Sequence, residues 1–202
     1  MRDRFALALV SVLALASVQA GAAGEAPAAH EVIAPGATVP GESLYQLAFP
    51  LTAQDGKTVS FESLRGRPML VTMFYTSCDG VCPMLAFSMR RMVAALPAEQ
   101  RGRVRAVMVS FDPELDSPQA LQDFAKLHQL SSSQWLLARA EEADVRELAA
   151  VLGIRYRQLP SGAFSHSAVI TLLDADGVVR ARTENLQTLD PDFMRAVAHT
   201  LE

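Results

Sequence analysis

An unbroken run of apolar, β-branched and aromatic residues at positions 69–75 is the feature that most limits how this chain can fold. A strand of this composition needs cover on both faces, as strands inside a parallel sheet have. Residues 104–111 form a second run of the same kind. Because each run is followed by a predicted helix, the pattern indicates an α/β architecture.

The rest of the chain continues this alternation. Further strands are predicted at residues 44–51, 57–61, 135–138, 168–173 and 178–183, and helices at residues 83–96, 117–128, 141–152 and 190–201. A turn at residues 55–56 joins the first two strands, and another at residues 174–177 joins the last two. This order predicts a thioredoxin-like three-layer sandwich: a mixed central sheet with helices on both faces and an added N-terminal β-hairpin.

Residues 1–20 have the three-part layout of a secretory signal peptide. Arg2 and Arg4 precede an apolar run of 14 residues, and small residues at positions 18 and 20 favour cleavage after Ala20. An uncleaved membrane anchor that extends to Ala23 is the alternative. The expected location is the periplasm or another oxidising exterior, where cysteines can form disulfides.

Composition sets limits on the remaining chain. Residues 21–43 are rich in Ala, Gly and Pro and are predicted to form a flexible tether, which leaves residues 44–202 as one domain. Hydrophobic residues make up 50% of the chain and charged residues 20%, which excludes a disordered protein. A formal net charge of −4 provides no basic footprint, so no nucleic-acid partner is expected.

The two cysteines, Cys78 and Cys82, lie between the first buried strand and the helix that follows it. Sites in open α/β sheets collect at the carboxyl ends of strands, and a helix N-terminus stabilises a thiolate. A structural disulfide is one interpretation, although closing so short a loop stabilises a fold by only about 2 kcal/mol. The functional interpretations are thiol–disulfide exchange and a metal site, for which two thiolates favour Cu(I), with Zn as the competitor.

A metal held by two sulfurs needs a third ligand, and His166 is the best placed of the four histidines. It directly precedes the strand predicted at residues 168–173, and the loop before that strand packs beside the thiol pair in a thioredoxin-like fold. Without a metal, it would be a polar residue at a strand end. A set of Cys78, Cys82 and His166 would suit copper in both oxidation states, because imidazole helps to hold Cu(II).

Asp112 and Asp116 follow the second buried strand at the same edge of the sheet. One interpretation is a turn into the next helix, with Asp116 near its N-cap. The other places either carboxylate in the outer shell of the metal, where it would orient His166 or add negative charge beside copper.

Three sequence blocks resemble those of the Sco/SenC family of copper chaperones for cytochrome c oxidase assembly. They are the CxxxCP motif within residues 74–83, the acidic segment at residues 109–118, and Ser165-His166-Ser167 followed by the turn at residues 174–177. The resemblance covers residues 44–201 and implies a thioredoxin-like fold that binds one copper ion through Cys78, Cys82 and His166. Typical members carry a longer loop before the histidine than residues 156–166 provide.

The resemblance implies a copper chaperone that delivers copper to the CuA centre of cytochrome c oxidase, or reduces the thiols of that centre. The expected partner is the CuA subunit or another periplasmic copper or thiol protein. Contact with a membrane is expected only through a partner or an uncleaved anchor.

Two alternatives remain open. One is a periplasmic thiol–disulfide oxidoreductase with Cys78 and Cys82 as the catalytic pair. No proline lies between Ala163 and Val169, where thioredoxins place the cis-proline that receives substrates, and this disfavours exchange. The other alternative is a copper sensor or storage protein.

Overall fold

A computed structural model of the protein describes residues 39–202. The predicted signal peptide and residues 21–38 of the predicted tether lie outside the described residues. Within the described range, no helix combines the length and apolar character that crossing a bilayer requires.

Strands and helices alternate along this range. The strands are β1 (Pro50–Ala53), β2 (Thr58–Ser60), β3 (Met69–Phe74), β4 (Arg105–Ser110), β5 (Trp135–Arg139), β6 (Tyr156–Gln158), β7 (Phe164–His166), β8 (Ile170–Leu173) and β9 (Val179–Thr183). The helices are α1 (Val81–Ala95), α2 (Ala98–Arg101), α3 (Pro118–Leu127), α4 (Glu142–Leu152) and α5 (Pro191–Thr200), with 3-10 turns at Leu44–Gln46 and Glu62–Leu64.

A 7-stranded mixed sheet forms the centre, in the order β2-β1-β5-β4-β3-β8-β9. Strands β3, β4 and β5 are parallel, and the hairpins β1–β2 and β8–β9 add antiparallel strands at the two edges. The pairing of β3 with β4 runs from Met69 opposite Arg105 to Phe74 opposite Ser110, so both strands end at one edge of the sheet. The predicted mixed sheet with its N-terminal hairpin is confirmed.

Helices cover both faces of this sheet. The Phe74 ring lies 4.8 Å, centroid to centroid, from Phe124 of α3. Thr171, which pairs with Val71, donates its hydroxyl hydrogen bond to the Leu152 carbonyl of α4 at 3.1 Å. Because Phe74 and Val71 are an odd number of residues apart, their side chains point to opposite faces of the sheet. Helices α3 and α4 therefore cover opposite faces. All residues of β3 are buried, as the continuous apolar run predicted.

Helix boundaries follow ordinary capping chemistry. Ser117 caps α3, as predicted, by accepting a hydrogen bond from the Ala120 N–H at 3.2 Å. Gly153 ends α4 in the left-handed conformation, with φ of 73°. Helix α1 starts at Val81, two residues before the predicted start, so Cys82 lies in its first turn.

The strand predicted to begin at residue 44 is wrong for its first residues, because Leu44–Gln46 form a 3-10 turn. The Ser43 hydroxyl accepts from the Tyr45 N–H, and the Leu44 N–H donates to the Gly177 carbonyl. These contacts hold the start of the domain against the β8–β9 turn. Gly177 has φ of 77°, and a Cβ there would lie only 2.7 Å from the Ser43 hydroxyl oxygen.

Candidate metal centre

Both cysteines lie at the carboxyl end of β3, as predicted, and both are free thiols. Cys78 is partly exposed in the turn after the strand, and Cys82 is buried in the first turn of α1. The Cys78 N–H donates to the Tyr75 carbonyl at 3.3 Å, and the Cys82 N–H points to the Cys78 sulfur at 3.4 Å. The helix start therefore directs a backbone donor at one of the two sulfurs.

The two thiols differ in acidity. Burial opposes ionisation of Cys78, but donors from Cys82, Gly80 and Tyr75 stabilise its thiolate and together lower its pKa below the ordinary value. Burial raises the pKa of Cys82, and the neighbouring Cys78 and Asp116 add to this effect. Cys78 is thus the thiol that ionises first and reaches solvent.

His166 comes from a separate two-stranded hairpin, β6–β7, in which it pairs with Tyr156. Its Nδ1 lies 3.1 Å from the Ser167 carbonyl oxygen, and its Nε2 lies 3.7 Å from the Cys82 sulfur. Since a carbonyl can only accept, Nδ1 carries the proton and Nε2 presents a lone pair toward the thiols. Burial lowers the pKa of His166, which favours the neutral imidazole that a metal needs.

The ligating atoms of Cys78, Cys82 and His166 all lie within 4.8 Å of one another. Two sulfurs and one imidazole nitrogen form a soft donor set that fits copper. A structural zinc site normally takes four protein ligands. Among the described residues, no further His, Cys, Asp or Glu joins this cluster. The three side chains named from the sequence therefore converge on a site whose chemistry favours copper.

Two aromatic rings contact the imidazole, and two more pack behind them. The Phe111 centroid lies 4.9 Å from that of His166, and the Tyr75 centroid lies 6.2 Å away. Tyr156 and Phe164, both from the hairpin, stack on Phe111 at 5.0 and 6.0 Å. This packing restrains the orientation of the His166 ring.

The predicted site omits these aromatic residues, because Tyr156 and Phe164 lie in a segment expected to be a loop, and Tyr75 and Phe111 end predicted buried strands. The missed signal is two short segments, residues 156–158 and 164–166, that flank a turn containing Pro160 and Gly162. Gly162 adopts φ of 84° in that turn.

Asp116 lies beside the site and is almost fully buried. Its carboxylate accepts hydrogen bonds from the Thr76 N–H at 3.0 Å, from the Thr76 hydroxyl, and from the Ser110 hydroxyl at 2.5 Å. Asp116 therefore ties the turn that carries Cys78 to the end of β4. The Ser167 carbonyl, and not Asp116, sets the orientation of His166.

Asp112 supports the turn after β4. Its N–H donates to the Ser110 hydroxyl at 2.9 Å, and its carboxylate accepts from the Leu115 N–H at 3.4 Å. Burial raises the pKa of the Asp112 carboxyl, although the Leu115 donor opposes this. The turn interpretation accounts for these contacts, and an outer-shell role for either carboxylate stays a prediction.

The other described histidines lie away from the cluster. His128 ends α3 and packs on Phe124 with centroids 4.2 Å apart, and His199 is exposed near Glu202. His30 lies outside the described residues.

Comparison with known proteins agrees with this geometry. The family model described as SCO1/SenC matches residues 38–202. A SCO1 protein homolog of Bacillus subtilis (strain 168) is 36% identical over 102 residues, which are 50% of this chain and 52% of that protein. The matched segment thus spans about half the length of this relative.

Solved structures show the same fold. The copper-bound structure of Bradyrhizobium japonicum ScoI has a TM-score of 0.62 at 27% identity, covering 75% of this chain and 94% of that chain. BsSco, a member of the Sco family of cytochrome c oxidase assembly proteins in which a disulfide switch was identified, has a TM-score of 0.64 at 30% identity. That match covers 76% of this chain and 91% of BsSco. Since the family model extends over the whole described domain and its metal centre, the chain belongs to the SCO1/SenC family.

Proposed function

We propose that this protein is a copper chaperone. It binds one copper ion through Cys78, Cys82 and His166 and delivers it to the CuA centre of cytochrome c oxidase, or reduces the thiols of that centre. The observation that carries the proposal is the convergence of two sulfurs and an imidazole Nε2 within 4.8 Å. Two relatives support it, since Bradyrhizobium ScoI holds copper and BsSco belongs to a family of oxidase assembly proteins.

Copper is the cargo, and the chain's own residues allow it to leave. Cys78 is the accessible ligand, so an incoming thiolate of a partner can replace it first. Cys82 is buried and follows only when the turn opens. His166 sits on the β6–β7 hairpin and can release copper without a change in the central sheet. Stepwise ligand exchange of this kind keeps the ion bound at every stage.

The first experiment is an anaerobic titration of the reduced protein with Cu(I) and with Cu(II). We expect one equivalent to bind, with loss of binding in the Cys78→Ser/Cys82→Ser variant and weaker binding in His166→Ala. His199→Ala is the matched control, because that histidine is exposed and distant from the cluster. Unchanged copper binding by the double cysteine variant would refute the proposal.

A second experiment tests delivery. The loaded protein is mixed with a soluble CuA fragment, and the purple CuA absorption is followed. Formation of the CuA spectrum supports a chaperone, whereas retention of copper by the loaded protein favours a sensor or store.

We further place the protein in the periplasm, on the basis of residues 1–20. The supporting measurement is the intact mass of the protein from a periplasmic fraction. A chain that begins at Gly21 is expected, and a full-length chain in the membrane fraction would contradict cleavage.

A thiol–disulfide oxidoreductase is the second candidate, favoured by the unequal acidity of the two thiols. The Cys78 thiolate would attack a target disulfide and release one target thiolate. The Cys82 thiolate would then attack the Cys78 sulfur, release the second target thiolate and leave a Cys78–Cys82 disulfide, so two electrons pass to the target. His166→Ala separates the candidates, because it should weaken copper binding but leave reductase activity intact.

A further inference from the structure

A cluster of arginines lies at the edge of the sheet opposite the metal centre. Arg67 precedes β3, Arg105 begins β4, and Arg101 ends α2. Arg105 pairs with Met69, so both strands start side by side at this edge. The arginines line a cavity of about 310 Å³, completed by Gly102, Val104, Ser133 and Gln134. We call this space the arginine cavity.

The charges in the arginine cavity are not balanced by the protein. Burial lowers the pKa of Arg105, and repulsion from the nearby Arg67 lowers it further. No Asp or Glu lines the cavity. In the described part of the chain, none of the ion pairs includes Arg67, Arg101 or Arg105.

Asp174 and Asp176, at the same edge, are already engaged in ion pairs. Asp176 pairs with Arg65 at 2.9 Å, and Asp174 pairs with Arg180 at 2.5 Å. Charges withdrawn from water ordinarily have a partner of opposite sign. Arg67 and Arg105 are half-buried, whereas Arg101 is exposed. The half-buried charges of Arg67 and Arg105 therefore point to an anion from outside the chain.

The wall of the cavity is held in place before any ligand arrives. The Nε of Arg101 donates to the Leu96 carbonyl at 2.9 Å, which orients its guanidinium group. The Gln134 amide donates to the carbonyls of Arg101 and Val104 and fixes the turn at Gly102. A preorganised set of guanidinium donors suits oxyanions, whose geometry matches the planar donor fork of arginine.

We propose that the arginine cavity binds an oxyanion of the phosphate type. It shares Arg105, Ser133 and Gln134 with a neighbouring groove of about 570 Å³, so a bound phosphate can carry an organic substituent. The same chemistry is available from free phosphate and from the headgroup of an anionic phospholipid. The proposal is independent of the copper site, which lies at the other end of the strands.

The test uses the purified protein and two probes. In the first arm, inorganic phosphate is titrated into the protein in a calorimeter, with chloride at equal ionic strength as the reference. In the second arm, binding to vesicles of phosphatidylglycerol is compared with binding to vesicles of phosphatidylcholine. The cavity variant is Arg67→Gln/Arg101→Gln. The control, Arg146→Gln/Arg195→Gln, removes the same charge from α4 and α5. Circular dichroism of each variant reports correct folding. If the double variant is unstable, the single variant Arg101→Gln, at an exposed position, replaces it.

We expect the cavity variant to weaken binding at least about tenfold, because it removes two of the three guanidinium groups that line the cavity. The control should bind within about twofold of the parent chain. Loss of phosphate binding in the cavity variant identifies a site for free phosphate. Loss confined to phosphatidylglycerol vesicles identifies a headgroup site. The proposal fails if neither probe binds, or if cavity and control variants bind alike.

Discussion

Replacing Asp116 by alanine should destabilise the domain and loosen the metal centre together. The carboxylate accepts three hydrogen bonds, from the Thr76 N–H, the Thr76 hydroxyl and the Ser110 hydroxyl. Alanine leaves the Thr76 N–H without its acceptor, which costs about 1–3 kcal/mol. The two hydroxyl bonds add about 1 kcal/mol each, because hydroxyl groups can rotate toward other partners. The expected loss in the free energy of unfolding is therefore about 3–5 kcal/mol.

Urea denaturation measures this loss through the fluorescence of Trp135, the only tryptophan in the chain and buried in β5. Asp116→Asn keeps the shape and one acceptor, so it should lose about half as much. Asp123→Ala is the matched control, because that carboxylate is exposed on α3 and its removal should change stability by no more than about 0.5 kcal/mol.

The metal centre provides a second readout of the same variant. Cu(I) affinity, measured by competition with a chromogenic chelator, should fall in Asp116→Ala because the turn that holds Cys78 is no longer tied to β4. The role assigned to Asp116 is wrong if Asp116→Ala and Asp123→Ala lose equal stability and bind Cu(I) alike.

Three further results are expected from the site and its surroundings. Iodoacetamide at neutral pH should modify Cys78 at least about tenfold faster than Cys82, because Cys78 is partly exposed and has the lower pKa, whereas Cys82 is buried. Equal rates by peptide mass mapping would contradict this. Burial lowers the pKa of His166 in the folded protein, so the unfolded chain takes up this proton at a higher pH than the folded one. His166 should therefore lower the free energy of unfolding as the pH drops below about 6.5. Urea midpoints at two pH values should show a weaker pH dependence in His166→Gln, and an unchanged dependence would rule out this contribution. Gly177→Ala should lower the free energy of unfolding by more than about 2 kcal/mol, and Gly56→Ala by about 1 kcal/mol. Both glycines have positive φ, but of the two only Gly177 lacks space for a Cβ. Equal shifts of the thermal midpoint would count against the clash.

The sequence predicts the sheet well because its strands carry strong local signals. The apolar run that became β3 needs cover on both faces whatever lies around it, and the Ser117-Pro118 start of α3 is a capping signal complete in itself. The sequence also predicts the cluster of Cys78, Cys82 and His166, because these residues lie next to the ends of predicted strands. In a thioredoxin-like sheet those strand ends are neighbours.

Other features depend on contacts between distant residues and carry little local signal. Leu44 has the composition of a strand, but the Gly177 carbonyl, far away in sequence, takes its N–H and favours a turn. Asp116 has the position of a capping residue, yet its carboxylate is buried and accepts hydrogen bonds from Thr76 and Ser110. The aromatic packing around His166 likewise brings together side chains from β3, β4 and the hairpin.

The β6–β7 hairpin has a consequence for how the site can change coordination. Its three residue pairs are joined to no other strand among the described residues, and an isolated hairpin of this size has little stability of its own. Aromatic contacts with Phe111 and Tyr75 hold it against the ends of β3 and β4. Lifting the hairpin would break those contacts and withdraw the imidazole, while the cysteines stay anchored to the sheet. The cysteines thus lie on the rigid part of the proposed site and His166 on a part that can detach. In the proposed copper complex, three-coordinate and two-coordinate metal would be related by local opening rather than by unfolding.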